Sequence, residues 1–127
     1  QISPDGNSIV CYYPSEAQPR ILQLTILSAQ DGKVIKQFSE TEIQVIPDLS
    51  PSIVWTPDSK TVLFTKEKNG ILNIWRQELS EASPKQITNS DESIFRFALS
   101  PDGKKLIYEK GVQVNDIVLI KDLLAKP

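Results

Sequence analysis

Short apolar and β-branched runs, cut by turn residues, make up the chain. In its middle, "SIVW" leads into Thr56-Pro57-Asp58 and "TVLFTK" leaves it; "ILNIWRQEL" follows "EKNG", and "KQIT" follows "SEASP". Runs of this length, bounded by Pro, Gly, Asn, Asp and Ser, predict strands. Four in succession predict a four-stranded antiparallel sheet, the unit of a propeller blade.

The turn between the first two runs occurs three times, in "ISPDGNSIV" from Ile2, "WTPDSKTVLF" from Trp55 and "LSPDGKKLIY" from Leu99. Ser3, Thr56 and Ser100 then correspond, at spacings of 53 and 44 residues. A period near ~40–50 residues with several strands in each points to a propeller array. Each turn residue has a physical reason. The hydroxyl bonds nearby backbone amides, and Pro presets φ at the second position of a type I turn. Asp suits the third position, and Gly at the fourth supplies the left-handed residue that closes the hairpin with a bulge. Ser59 stands where the other copies have Gly6 and Gly103. A side chain there is expected to strain the turn slightly or shift its type, without abolishing the hairpin.

The expected fold is therefore all-β: a partial β-propeller of about three four-stranded antiparallel blades, the first and last incomplete. The blades span 1–46, 47–90 and 91–127. The first lacks its innermost strand, because only Gln1 and Ile2 precede its corner, and the last stops after "DIVLIKDL", before an outer strand. "VIPDLSP" reads as the loop entering the second blade. Closed propellers usually need ~4–8 blades. An open arc leaves apolar faces and strand edges uncovered. Ile9, Ile21, Leu24 and Ile26 are expected to lie bare at one end, or Ile107, Val118 and Ile120 at the other. Either missing blades of a parent chain cover them, or the chain is a homo-oligomer in which two copies pair head to tail.

Composition narrows the function classes. The 127 residues carry a net charge of −2 with no run of Lys or Arg, so no nucleic-acid partner is expected. No apolar stretch approaches ~18 residues, so no membrane insertion is expected. The chain starts inside a repeat without Met, as a piece of a longer protein would. It has one cysteine, Cys11, and no histidine. That removes the common Ser-His-Asp and Cys-His arrangements and the commonest zinc ligand. Cys11, between Val10 and Tyr12, reads as a small buried hydrophobe. Asp5, Asp58 and Asp102 recur, but one carboxylate per corner is not a convergent metal site. Neither a phosphate-binding glycine loop nor Gly-x-Ser-x-Gly occurs. No cofactor, no metal and no catalytic residue are expected, and the chain is read as not an enzyme.

The repeat also resembles a known family. Trp55-Thr56-Pro57-Asp58, Ile74-Trp75, Leu79, Pro84-Lys85-Gln86-Ile87-Thr88 and Leu99-Ser100-Pro101-Asp102-Gly103-Lys104 resemble the WD-like repeats of TolB-type β-propellers. The end of the chain is similar to the final blade of propellers fused to bacterial signalling proteins. The resemblance implies a bacterial protein, with a periplasmic or extracytoplasmic setting.

In propellers, the corners after the first and third strands share one face of the disc. The remaining connections share the other, which is the usual binding face. Here that face would carry "YPSEAQPR", "FSETEIQVIPDLSP", "KEKNG", "TNSDES" and "KGVQVND". Tyr12, Tyr13 and Arg20 are its candidate contact anchors, and Lys68, Asn69, Asp91 and Glu92 lie on its other loops. Arg96, between Phe95 and Phe97, is a candidate for the central channel or a neighbouring blade. Two functions compete. One is a non-catalytic scaffold binding a protein or small ligand. The alternative is the substrate-gating propeller of a prolyl-oligopeptidase-type serine peptidase, whose catalytic domain would lie outside this chain.

Overall fold

The structure, a computed structural model, describes residues 1–44 and 52–112. Among the described residues, three antiparallel sheets follow one another. The first holds β1 (Ser8–Pro14), β2 (Ile21–Ser28) and β3 (Val34–Gln44), in that order. The second holds β4 (Ile53–Trp55), β5 (Thr61–Lys68), β6 (Ile71–Glu78) and β7 (Lys85–Gln86), the four strands read from the sequence. The third pairs β8 (Ser93–Leu99) with β9 (Leu106–Gly111). Its next segment, "DIVLIKDL", lies outside the described residues, as do "VIPDLSP" up to Pro51 and the boundary drawn at 46/47. The stub before the first corner is not idle. The Val10 amide donates to the Gln1 carbonyl at 2.8 Å, the Gln1 backbone nitrogen donates to the Val10 carbonyl at 2.8 Å, and Ile2 bridges Ile9. Two residues thus stand where β4 stands in the next sheet.

The sheets stack face to face because their strands are apolar on the faces that meet. Along β5 the side chains alternate. Val62 and Phe64 join Val10, Leu24, Ile26 and Phe38 of the first sheet in one buried cluster, with Trp55 beside them. Leu63 turns the other way and joins Ile74, Ile94 and Phe97 in a second cluster against the third sheet. The central sheet is therefore covered on both faces, and β5 reads as a continuous apolar run rather than an alternating one. This corrects one expectation. Leu24 and Ile26 are not bare at an open end, because they pack inward against the second sheet. Ile107 is exposed as expected, and Val118 and Ile120 fall outside the described residues.

A second correction concerns "FSETEIQ", which is not a loop but the end of β3. The pairing of β2 with β3 slips between Leu22 and Leu24. The slip leaves the Leu24 amide without a ladder partner, and Thr41 fills the gap. Its buried hydroxyl accepts from the Leu24 amide at 2.8 Å and donates to the Phe38 carbonyl at 2.6 Å. A polar residue in a strand that reads as half-buried is thus a structural plug.

The three Pro-Asp corners are near copies of one another. In each, the Ser or Thr hydroxyl donates to the Asp carboxylate at 2.6 Å, from Ser3 to Asp5, Thr56 to Asp58 and Ser100 to Asp102. The same carboxylate oxygen accepts a backbone amide two residues on, from Asn7, Lys60 or Lys104 at 3.0 Å. The fourth position has positive φ in all three: 76° at Gly6, 59° at Ser59 and 71° at Gly103. Ser59 therefore keeps the turn type rather than shifting it. Its hydroxyl also accepts a hydrogen bond from the Asp5 amide in the neighbouring corner, at 3.1 Å. The strain of a left-handed serine, on the order of 1 kcal/mol, is offset by an inter-corner bond of similar size. Ser59→Gly is expected to leave the denaturation midpoint nearly unchanged, since both terms vanish together. Ser59→Ala, which keeps the strain and loses the bond, is expected to cost about 1 kcal/mol in urea titration.

These corners also couple stability to pH. Asp5, Asp58 and Asp102 all titrate below their ordinary value of 3.8, first because of the Ser or Thr hydroxyl donated to each and then because of the backbone amide. A carboxylate depressed by folding stabilises the folded state above its unfolded value. That contribution is lost as pH falls through the folded value. Stability is expected to drop as pH falls below about 4. Changing all three to Asn, which keeps an acceptor and removes the titration, is expected to flatten the drop, as followed by thermal melts between neutral and acid pH.

Candidate functional site

The antiparallel order sends the strand connections to two sides. One side carries the Pro-Asp corners, the turn between Ser28 and Val34, and the loop from Glu78 to Lys85. The opposite side carries the β1–β2 loop, the β5–β6 hairpin and the chain entering β8. This is the side on which the sequence puts the candidate residues.

The first loop projects outward. Tyr13 is exposed at the end of β1, and Arg20 is exposed just before β2. Tyr12 differs. It lies within β1, its ring packs against the first cluster, and burial pushes its phenol far above the ordinary tyrosine range. It is a core residue of the contact between the first two sheets rather than a loop anchor, because the strand alternation turns it inward with Val10. Lys68 and Asn69 form the tip of the next hairpin, with φ of 55° at Asn69 and 79° at Gly70. Two left-handed residues in succession fit the Asn-Gly turn that closes a two-residue hairpin.

Asp91 and Glu92 both pair with Lys110, at 3.5 and 3.4 Å. Glu92 and then Asp91 raise the ammonium above its ordinary range. The pair joins the start of β8 to the end of β9. Such exposed pairs contribute little stability. Arg96 is exposed on β8, on the face turned away from the second sheet, with Glu109 as its cross-strand partner. It is therefore separate from the loops that carry Tyr13, Arg20, Lys68 and Asn69.

Three residues on this side escaped the sequence reading. Asn73 is buried, and its side-chain oxygen accepts from the Thr88 hydroxyl at 2.8 Å and the Ser90 amide at 2.9 Å. It fixes the connection that carries Asp91 and Glu92. Its signal was a lone Asn inside "ILNIW". Trp75 receives the Lys66 and Lys68 ammonium groups over its ring, at 5.1 and 5.9 Å from the centroid. Lys66 also donates to the Glu40 carbonyl, bridging the first two sheets. Cation–ring contacts across a hairpin leave no periodic trace in sequence.

No family model matches the sequence, and no curated protein matches it. Solved structures do. TolB from Acinetobacter baumannii is 25% identical with a TM-score of 0.66, over 84% of this chain and 25% of that one. The putative TolB from Agrobacterium tumefaciens is 19% identical with a TM-score of 0.67, over 87% of this chain and 36% of that one. These are TolB-like β-propeller blades. The chain spans about a quarter and about a third of those two proteins.

Within the TolB-like blades, the three Pro-Asp corners are chemically spent. Their hydroxyls and carboxylates are bonded to one another and to backbone in the same way three times. The loop side differs from blade to blade and leaves Tyr13, Arg20, Lys68 and Asn69 in solvent. Among the described residues, no group of His, Cys, Asp or Glu side chains is placed to hold a metal.

Proposed function

We propose that these blades act as a non-catalytic scaffold that binds a protein partner through the side carrying Tyr13, Arg20, Lys68 and Asn69. The asymmetry between the two sides carries this reading. The three Pro-Asp corners spend their hydroxyls and carboxylates on one another and on backbone, so they have little left to recognise a partner. A side whose hairpins differ, held on rigid strands, has both chemistry and placement. Tyr and Arg are also the residue types that most often anchor protein contacts.

The test is site-specific photocrosslinking in the full-length protein inside its own cells. A crosslinking amino acid at Tyr13 or Lys68 is expected to trap a discrete protein adduct, and one at Asn7 or Lys60, on the corner side, is expected to trap none. Adducts only from the corner side would overturn the reading.

A further inference from the structure

Asparagine is chemically labile. Its side chain closes on the backbone nitrogen of the following residue when that nitrogen is free to attack. Aspartate followed by glycine forms the same ring. The described residues hold seven such places: Asn7, Asn69, Asn73 and Asn89, and the Asp-Gly pairs at Asp5, Asp31 and Asp102.

At six of them the fold ties up the attacking amide. The Ser8 amide, after Asn7, donates to the Ser3 hydroxyl at 2.9 Å. The Ile74 amide, after Asn73, donates to the Thr88 hydroxyl at 2.8 Å. The Ser90 amide, after Asn89, donates to the Asn73 side-chain oxygen at 2.9 Å. In the Asp-Gly pairs the glycine amide closes its own turn. Gly6 donates to the Ser3 carbonyl at 2.9 Å, Gly32 to the Ser28 carbonyl at 2.9 Å and Gly103 to the Ser100 carbonyl at 2.8 Å. At each of these, the nitrogen attacks only after a hydrogen bond is broken.

Asn69 is the exception. It is exposed, with Gly70, at the tip of the β5–β6 hairpin. Lys68 and Ile71 pair across the tip, and among the described residues the Gly70 amide donates to no acceptor. Glycine has no Cβ to hinder its nitrogen. Nothing lies within 4 Å of the Cβ direction at Gly70, so no neighbour shields it.

We propose that Asn69 is a site of spontaneous modification, at which the Gly70 nitrogen attacks the side-chain amide and water converts the product to aspartate and isoaspartate. Hydroxide takes the proton of the Gly70 amide, and the nitrogen bonds to Cγ of Asn69. The Cγ–Nδ2 bond breaks, and Nδ2 takes a proton from water and leaves as ammonia. Water then adds to one carbonyl of the resulting succinimide. Opening at Cγ leaves aspartate. Opening at the α-carbonyl leaves isoaspartate, with the main chain running through Cγ. Nothing is oxidised or reduced. Either product places a carboxylate beside Lys68. Isoaspartate also adds a main-chain carbon to a two-residue turn whose φ values, 55° and 79°, suit α-linked residues. The change falls on the side proposed to bind a partner, but the reaction itself does not depend on that binding.

Storage of the full chain at mildly alkaline pH and physiological temperature tests this, followed by digestion in acid and peptide mapping by mass spectrometry. Position 69 is expected to turn acidic first, with isoaspartate among the products by electron-transfer fragmentation. Asn7, Asn73 and Asn89 are expected to remain amides over the same period, and the Asp-Gly pairs to remain α-linked. In guanidinium, which removes the tying bonds, Asn7 and Asn89 are expected to react as well. Gly70→Ala, which puts a Cβ on the attacking residue, is expected to remove most of the acid at position 69 with the far-UV spectrum unchanged. Acid at Asn7 or Asn89 of the folded chain as early as at Asn69 overturns the proposal. So does an Asn69 that survives in the folded chain and is lost in guanidinium, or a rate indifferent to Gly70→Ala.

Discussion

Phe64→Ala is expected to cost about 3–5 kcal/mol, a large share of the roughly 5–15 kcal/mol that holds a typical domain folded. Phe64 is fully buried in the cluster that joins the first two sheets. Removing its ring takes apolar area out of the contact and leaves a void that the flat faces of two sheets cannot close by local collapse. Its neighbour Leu63 gives the internal comparison. Leu63 points to the opposite face and supports the contact with the third sheet. Leu63→Ala is expected to cost about 2–5 kcal/mol through a different interface. The chain's two tryptophans, Trp55 and Trp75, both lie at the first interface. Phe64→Ala should therefore change native tryptophan emission as well as the denaturation midpoint. Leu63→Ala should move the midpoint and leave the emission where it was. If Leu63→Ala changed the emission as strongly, the two faces of β5 would not be separate interfaces.

The second large effect is at Gly103. With φ of 71°, this position disfavours any side chain, and a Cβ there would come within 3.0 Å of the Pro57 ring in the adjacent corner. Gly103→Val is expected to lose about 2–4 kcal/mol, combining left-handed strain with overpacking. Gly6 sits at the same place in the first corner, with φ of 76° and open space around its Cβ direction. Gly6→Val carries the strain alone, expected at about 1–3 kcal/mol. Guanidinium titration of the two variants side by side reads the difference. Equal losses would show that the corners do not support one another across blades. A serine at position 59, bonded to the Asp5 amide, and Pro57 against Gly103 are the two contacts that make the corners a row rather than three separate turns.

Much of this organisation is local and so was written in the sequence. A Pro-Asp corner is closed by its own residues. The hydroxyl, the carboxylate and the left-handed fourth position all lie within a few residues of one another, so the motif appears wherever the letters do. The strands of the central sheet were legible for a related reason. They are short, apolar on both faces and fenced by turn residues, and their antiparallel order follows from the shortness of the connections. The side of the disc to which each loop projects follows from that order alone.

Tertiary structure decided what depends on which face a strand turns to which neighbour. Tyr12 and Tyr13 are adjacent in sequence, yet one packs in the core and the other stands in solvent. Alternation gives two faces, and only stacking says which one is covered. Leu24 and Ile26 looked like candidates for a bare end and are instead the heart of the first contact. Thr41 plugs a slip in the β2–β3 ladder, and a slip in register leaves no mark on either strand's composition. Lys66, Lys68 and Trp75 meet through cross-strand geometry. The sequence by itself set the corners, the strands and the sidedness of the loops, because those rest on contacts between near neighbours. Only the stacked blades set the buried tyrosine and the plug, because those rest on contacts between distant ones.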